Sequence, residues 1–252
     1  LVTDQPKKEI CHDPDSHFWQ MADKVNVKKS RFDKRNPETI PEADNSHVAM
    51  SVNLDACINC NLCVRACREV QVNDVIGMGN RGHTSQVIFD FNDPMGDSTC
   101  VSCGECVQAC PTGALMESNL LDEKGKKVVK PDRKVDSLCP YCGVGCQLTY
   151  NIKGEKIVSV DGRDGPANNN RLCVKGRFGF DYIHNPERLT KPLIRKDGIP
   201  KDPKERIDPL NPLSHFREAT WDEALDLAAN KLLKIRDSKN GKKALAGFGC
   251  AK

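Results

Sequence analysis

Aromatic residues are scarce: two Trp, three Tyr and eight Phe make up 5% of the 252 residues. A single large core built on rings is excluded by that shortage, and several small units fit better. No run approaches ~18 consecutive apolar residues, the length of a membrane-spanning helix, so no membrane span is expected. Charge of one sign is also missing. Thirty-eight basic residues stand against 35 acidic ones, a net charge of +3. This balance gives no electrostatic ground for binding nucleic acid or an anionic membrane. No signal peptide precedes the charged segment DQPKKE, and the chain opens on Leu1 and stops at AGFGCAK. Both ends suggest a piece of a longer polypeptide, truncated on either side.

Cysteine is abundant, with 14 residues. Disulfide scaffolds are usually short secreted chains with dispersed cysteines. Here all but Cys11 and Cys250 fall into tight clusters. Cysteines two residues apart pair with each other only under strain, whereas their sulfurs can converge on one metal centre. The spacing therefore points to metal.

Residues 57–67 read CINCNLCVRAC and residues 100–111 read CVSCGECVQACP. Both follow C-x2-C-x2-C-x3-C, the spacing of bacterial 4Fe-4S ferredoxins, in which the fourth cysteine ligates the other cluster. That rule assigns Cys57, Cys60, Cys63 and Cys110 to one cluster, and Cys100, Cys103, Cys106 and Cys67 to a second. Zinc sites favour two C-x2-C pairs over three cysteines in one loop and a fourth beyond. The fourth cysteine is expected at the start of a helix. Gly104 suits a backbone passing close to a cluster, and Pro111 suits the first helical turn. Arg68 replaces that proline in the first run. Between the runs, SQVIFDFND alternates Val87, Phe89 and Phe91 as a strand does.

A polar linker over 119–134, NLLDEKGKKVVKPDRK, leads to a third group: Cys139, Cys142, Cys146 and, much later, Cys173. QLTYNI and KIVSV around Lys153-Gly154-Glu155 read as a hairpin that returns Cys173 to the other three. Spacing alone leaves both zinc and a 4Fe-4S cluster open for this group. In 1–47, Cys11, His12 and His17 supply too few thiols for a cluster, and FWQMADKV reads as a short docking helix. Further on, Thr220 and Glu223 form a capping box before an apolar face of Ala224, Leu225, Ala228, Leu232 and Ile235. ALAGFG reads as a buried strand, with Cys250 a small buried residue at its end.

The run CPYCGVGC, then RLCVKGRFGFDYIHNPERLTKPLIR, then TWDEALDLAANKL resembles the amino-terminal part of molybdopterin-dependent oxidoreductases. Over residues 48–252 it most resembles the catalytic subunit of molybdenum- or tungsten-dependent formate dehydrogenases of the soluble NAD-linked type. The resemblance implies an α+β chain: a two-cluster ferredoxin-like domain (48–118), a small β-rich 4Fe-4S domain (135–195) and the start of an α/β pterin-binding body (196–252). It assigns the third group to a third 4Fe-4S cluster. It also implies bis-(molybdopterin guanine dinucleotide) with molybdenum or tungsten in the full-length protein. Formate and carbon dioxide as substrates, flavin/NAD-binding and ferredoxin-like partner subunits, and a cytoplasmic location come with it.

In such enzymes the lysine of C-x-K-G-R passes electrons between cluster and pterin, the role implied for Lys175. Sequence physics alone favours a solvated lysine there. Arg177 is read as structural, pairing with an acidic group. The metal-ligand motif of the active site is absent from these residues, so no catalytic residue is expected here and the fragment alone should not oxidise formate. Besides another molybdopterin oxidoreductase, the competing readings are the large iron–sulfur subunit of NADH–quinone oxidoreductase, an iron-only hydrogenase and a non-catalytic polyferredoxin. Of these last three, the paired runs argue against the first, the sequence from Cys139 onward against the second, and the half-built domain after Ala244 against the third.

Overall fold

In the computed structural model the described residues are 11–28 and 41–247, except 203 and 205, together with Pro6, Lys8 and Asn36. The chain divides into two units, Leu1–Asp181 and Tyr182–Lys252.

The first unit begins with α1 (His17–Lys24), which buries Trp19 and Ala22 and docks as the sequence suggested. Phe18 N donates to Pro111 O at 2.9 Å, and Lys127 Nζ reaches Asp13 Oδ2 at 2.9 Å. Then come β1 (Met50–Val52), α2 (Leu62–Arg65), β2 (Ile76–Gly79), β3 (Gln86–Phe89), α3 (Glu105–Ala109) and β4 (Leu115–Glu117). The order is strand, cysteine loop, helix, strand, performed twice. β1 pairs antiparallel with β4, placing Val52 opposite Leu115, and β2 pairs with β3, placing Ile76 opposite Phe89. Each half thus lends a strand to the other, and α2 packs on α3.

Met50, Val52, Ile76, Val87, Phe89, Met95 and Leu115 form the core, with Cys63, Cys67 and Cys106 inside it. Each large apolar side chain contributes roughly 1.5–3 kcal/mol relative to exposure. Phe91 departs from the expected alternation. β3 stops at Phe89, Asp90 and Asn92 take positive φ, and Phe91 is 96% exposed. The left-handed residues turn the chain before a third inward position is reached.

Residues 119–134 hold more order than a linker. Leu120 is buried, Leu121 bridges Lys127, and β5 (Arg133–Leu138) begins before the polar run ends. β5 pairs with β6 (Gln147–Lys153), which pairs with β7 (Lys156–Gly162), a three-stranded antiparallel meander. The β6–β7 hairpin is the one read from sequence, with Gly154 at φ 59° in its turn. The short helix α4 (Val174–Phe178) follows and packs against β7. Phe178 reaches the core between the cysteine runs.

The second unit pairs β8 (Leu193–Arg195) with β9 (Phe216–Glu218) and carries α5 (Trp221–Arg236). Thr220 caps α5 by accepting from Glu223 N at 3.2 Å, while the Glu223 carboxylate binds Arg217 instead of closing the box. Its apolar face is exposed, Leu225 and Leu232 included. Ala244–Gly247 form no strand among the described residues, since no neighbouring strand pairs with them. The rest of that expected strand, with Cys250, lies outside the described residues. Among the described residues no helix is long and apolar enough to cross a membrane.

Candidate metal centres

Each cysteine run turns its loop with two left-handed residues at matching places. Asn59 and Asn61 take φ 52° and 62° in the first run, and Ser102 and Gly104 take 56° and 70° in the second. This backbone directs N–H groups inward: Asn59 N donates to Cys57 Sγ and Ser102 N to Cys100 Sγ, both at 3.4 Å. Val75 N donates to Cys67 Sγ at 3.4 Å. Such donors stabilise thiolates and tune the centre they hold.

Cys63 and Cys106 project from the first turns of α2 and α3, so the helices start before the third cysteine. Neither fourth cysteine opens a helix. Cys67 lies in a π-helical turn, Ala66–Val70, that continues α2, and Cys110 is the C-cap of α3. Pro111 therefore follows a helix end, where proline is common because it cannot continue the helix.

Two cavities follow. One encloses about 360 Å³ of free space, partly open to solvent, and is lined by Cys57, Cys60, Cys63 and Cys110 with Leu54 and Val87. The other, about 300 Å³ of free space and likewise partly open to solvent, is lined by Cys67, Cys100, Cys103 and Cys106 with Val75 and Ile76. Each collects three cysteines of one run and the fourth of the other. Burial, then the nearby Cys110, Cys57 and Cys60, push the Cys63 thiol up to about 12. Burial and then Cys103 and Cys100 push Cys106 well above its ordinary value. Such thiols crowd without a compensating cation and must lose their protons when a metal centre forms.

The third group gathers at the base of the meander. Cys139 N donates to Cys146 O at 2.8 Å, closing the loop that holds Cys142. Cys173 is the N-cap of α4, and Gly176 of that helix lies against Cys139 Sγ. Burial raises the Cys146 thiol, followed by Cys139, Cys142 and Cys173. Asn168, which sequence reading missed, brings Cys173 back. Its buried side chain accepts from Gln147 N at 2.9 Å, and its Nδ2 reaches the carbonyls of Gln147, Arg163 and Arg171 at 3.0–3.1 Å. The run PANNN was the available signal, since Asn bonds its neighbouring backbone in turns. Lys175 is exposed on α4, two residues after Cys173.

Arg177 pairs with an acid, Glu105, at 3.2 Å. Cys11 is buried with its Sγ on Lys8 O at 3.1 Å, His12 is buried and His17 is exposed. Cys11 packs with Trp19 and Ala22.

The donor set suits iron–sulfur clusters: soft thiolates, apolar walls and inward N–H groups. Among the described residues no three His, Cys, Asp or Glu side chains converge tightly enough for a single ion.

Comparison with known proteins agrees with these two regions. Residues 56–114 match the 4Fe-4S dicluster domain, and residues 132–185 match the Molybdopterin oxidoreductase Fe4S4 domain. The chain thus carries two regions matched to 4Fe-4S-type domains, the second of them that of molybdopterin oxidoreductases. Among relatives, "Probable oxidoreductase YjgC" of Bacillus subtilis is 32% identical over 81% of this chain and 24% of its own length. "Putative formate dehydrogenase SH0748" of Staphylococcus haemolyticus is 34% identical over 74% of this chain and 21% of its own. The chain therefore spans about a quarter of the length of these relatives. A solved NAD+-reducing NiFe-hydrogenase aligns at TM-score 0.37 and 26% identity, covering 42% of this chain and 47% of that one.

Proposed function

We propose that this chain is the iron–sulfur electron-transfer part of a molybdenum or tungsten bis-pterin formate dehydrogenase. The observation that carries the reading is the sorting of eight cysteines into two four-thiol cavities, beside a third group of four in the domain matched to molybdopterin oxidoreductases. The name "Putative formate dehydrogenase" that several relatives carry supports formate as the substrate in this reading.

When bound, three 4Fe-4S clusters would supply one-electron carriers that change charge with little rearrangement. Cys57, Cys60, Cys63 and Cys110 would hold one, Cys67, Cys100, Cys103 and Cys106 the next, and Cys139, Cys142, Cys146 and Cys173 the third. Loop N–H groups on Cys57, Cys67 and Cys100 would stabilise the thiolates. The overall reaction takes formate to carbon dioxide, releasing two electrons and a proton. Lys175, exposed beside Cys173, would stand between the third centre and a pterin held by the rest of the protein. Electrons would leave the ferredoxin-like domain towards a partner subunit with flavin and NAD, in the cytoplasm. Run backwards, the same route would reduce carbon dioxide.

The test is metal analysis of the full-length protein purified without oxygen. Iron and acid-labile sulfide assignable to this part should approach about twelve each, four per cluster. Zinc without sulfide overturns the reading. Lys175→Ala should slow electron exit while cluster content stays unchanged. Normal turnover in that variant removes the relay.

A further inference from the structure

Among the described residues, Arg177 is the largest fully buried side chain, at 1% exposed. It starts in α4, where its backbone N donates to Cys173 O at 3.0 Å, one turn from the third cysteine group. Its guanidinium ends in the other iron–sulfur domain. Nε reaches Cys103 O at 3.4 Å, Nη2 the Glu105 carboxylate at 3.2 Å, and Nη1 both Gln108 Oε1 at 2.6 Å and Val160 O at 3.0 Å. Its stem covers Gly104, where a Cβ would lie 2.7 Å from Arg177 Cγ. The partners Cys103, Gly104, Glu105 and Gln108 form the loop and helix of the second cysteine run. No comparable cation, among the described residues, is buried against the first run, whose Arg65 and Arg68 form exposed ion pairs.

Stability does not explain this charge. Replacing a buried ion pair by apolar side chains of similar volume is often neutral or stabilising. What the charge does do is act on the loop it grips, in surroundings where solvent screens weakly. An added electron there meets a guanidinium that the Glu105 carboxylate offsets only in part, and the arginine favours the reduced state.

We propose that Arg177 is a positioning residue that joins the second cysteine run to the third group and makes the centre held by Cys67, Cys100, Cys103 and Cys106 the first acceptor of electrons from it. The inference rests on the iron–sulfur reading above. One helical turn and one hydrogen bond link Cys173 through Arg177 to Cys103. Among the described residues no buried arginine bonds the backbone of Cys57, Cys60, Cys63 or Cys110, and the centre they line follows later in the route.

The experiment is a redox titration of the full-length protein followed by electron paramagnetic resonance. Cys103→Ala identifies the second run's signal by its loss. Arg177→Gln removes the charge and leaves a shorter amide donor in its place. It should shift the second run's midpoint potential downward, with a smaller shift at the first run and unchanged iron content. Arg177→Lys keeps the charge and should restore most of that potential, a rescue that a purely structural role would not give. Equal potentials in parent and Arg177→Gln, or equal shifts in the Gln and Lys variants, overturn the proposal. Should Arg177→Gln lose iron, Glu105→Gln reads the same charge from its other side. Glu105→Gln combined with Arg177→Gln, which leaves no orphaned carboxylate, should then titrate below Glu105→Gln alone, and equal potentials in the two overturn the proposal. Absence of every reduced-cluster signal in the parent protein overturns the iron–sulfur reading and this inference together. Signals that are present but indifferent to these variants overturn this inference alone.

Discussion

Asn59 and Asn61 in the first cysteine run take the same left-handed backbone as Ser102 and Gly104 in the second, and the same N–H donors meet the first sulfur of each. Past the third cysteine the runs part. α2 flows on through the turn Ala66–Val70, so Cys67 is buried within helical structure. α3 stops at Ala109, leaving Cys110 extended at φ −74° and ψ 116°. The cause is one residue. Arg68 keeps a backbone donor and allows helical turns to continue. Pro111 has none and forces the residue before it out of helical geometry. The second run is then covered by Arg177 from the neighbouring domain, while the first leaves Cys60 exposed. The repeated residues build the cage, and the unrepeated ones decide what packs against it.

The sharpest way to break this comparison is to ask whether the cages exchange their fourth ligand. Cys63→Ala with Cys110→Ala removes two thiols from one cavity and should cost one cluster, about four irons. Cys63→Ala with Cys67→Ala removes one thiol from each cavity and should cost two, about eight irons. Iron and sulfide analysis of the anaerobically purified full-length protein decides. The reverse result would mean that each run serves itself.

Next in size is an exchange at the point where the runs part. Arg68→Pro removes a donor inside the π-helical turn and pushes Cys67 towards extended backbone. Cys67 lines the second cavity, so the variant should lose that cluster although it lies in the first run. Pro111→Arg places a donor beyond a finished helix and should leave cluster content intact. Iron analysis and paramagnetic resonance on the pair of variants measure the asymmetry.

Much of this was legible because cysteine spacing is a direct statement of ligand geometry. The hairpin was legible too, since a two-residue alternation flanked a glycine turn. Residues whose role depends on a distant partner were harder. Phe91 continued the alternation of Val87 and Phe89, yet positive φ at Asp90 ends the strand first. β5 hid in a polar stretch, as Arg133, Lys134 and Asp136 lie on exposed positions of an outer strand. Pro111 fitted a helix start as well as a helix end, because both tolerate a missing donor. Arg177 was read as paired with an acid, but the identity of Glu105, 72 residues away, needed the fold.

A smaller effect separates the matched left-handed positions. Gly104 sits at φ 70° under Arg177, so Gly104→Ala adds both an unfavourable backbone and a contact with the arginine stem. The left-handed conformation alone costs an alanine about 1–2 kcal/mol. We expect a loss of ~1–3 kcal/mol, seen as a lower denaturant midpoint for cluster absorbance. Asn61→Gly at the equivalent place should change that midpoint little, because glycine accepts the same φ and Asn61 is exposed.

The smallest effect should come from the ion pairs that stand over the first run. Arg68 Nε lies 2.6 Å from Asp74 Oδ1, and both side chains are more than half exposed. Water and salt screen such a pair, and ordering two long side chains offsets most of its attraction. Arg68→Ala should therefore leave cluster content, midpoint potential and denaturant midpoint within error of the parent. Set beside Arg68→Pro, it separates the side chain from the backbone at one position. A loss of the second cluster in the alanine variant would show that the charge of Arg68, rather than its backbone donor, holds Cys67 in place.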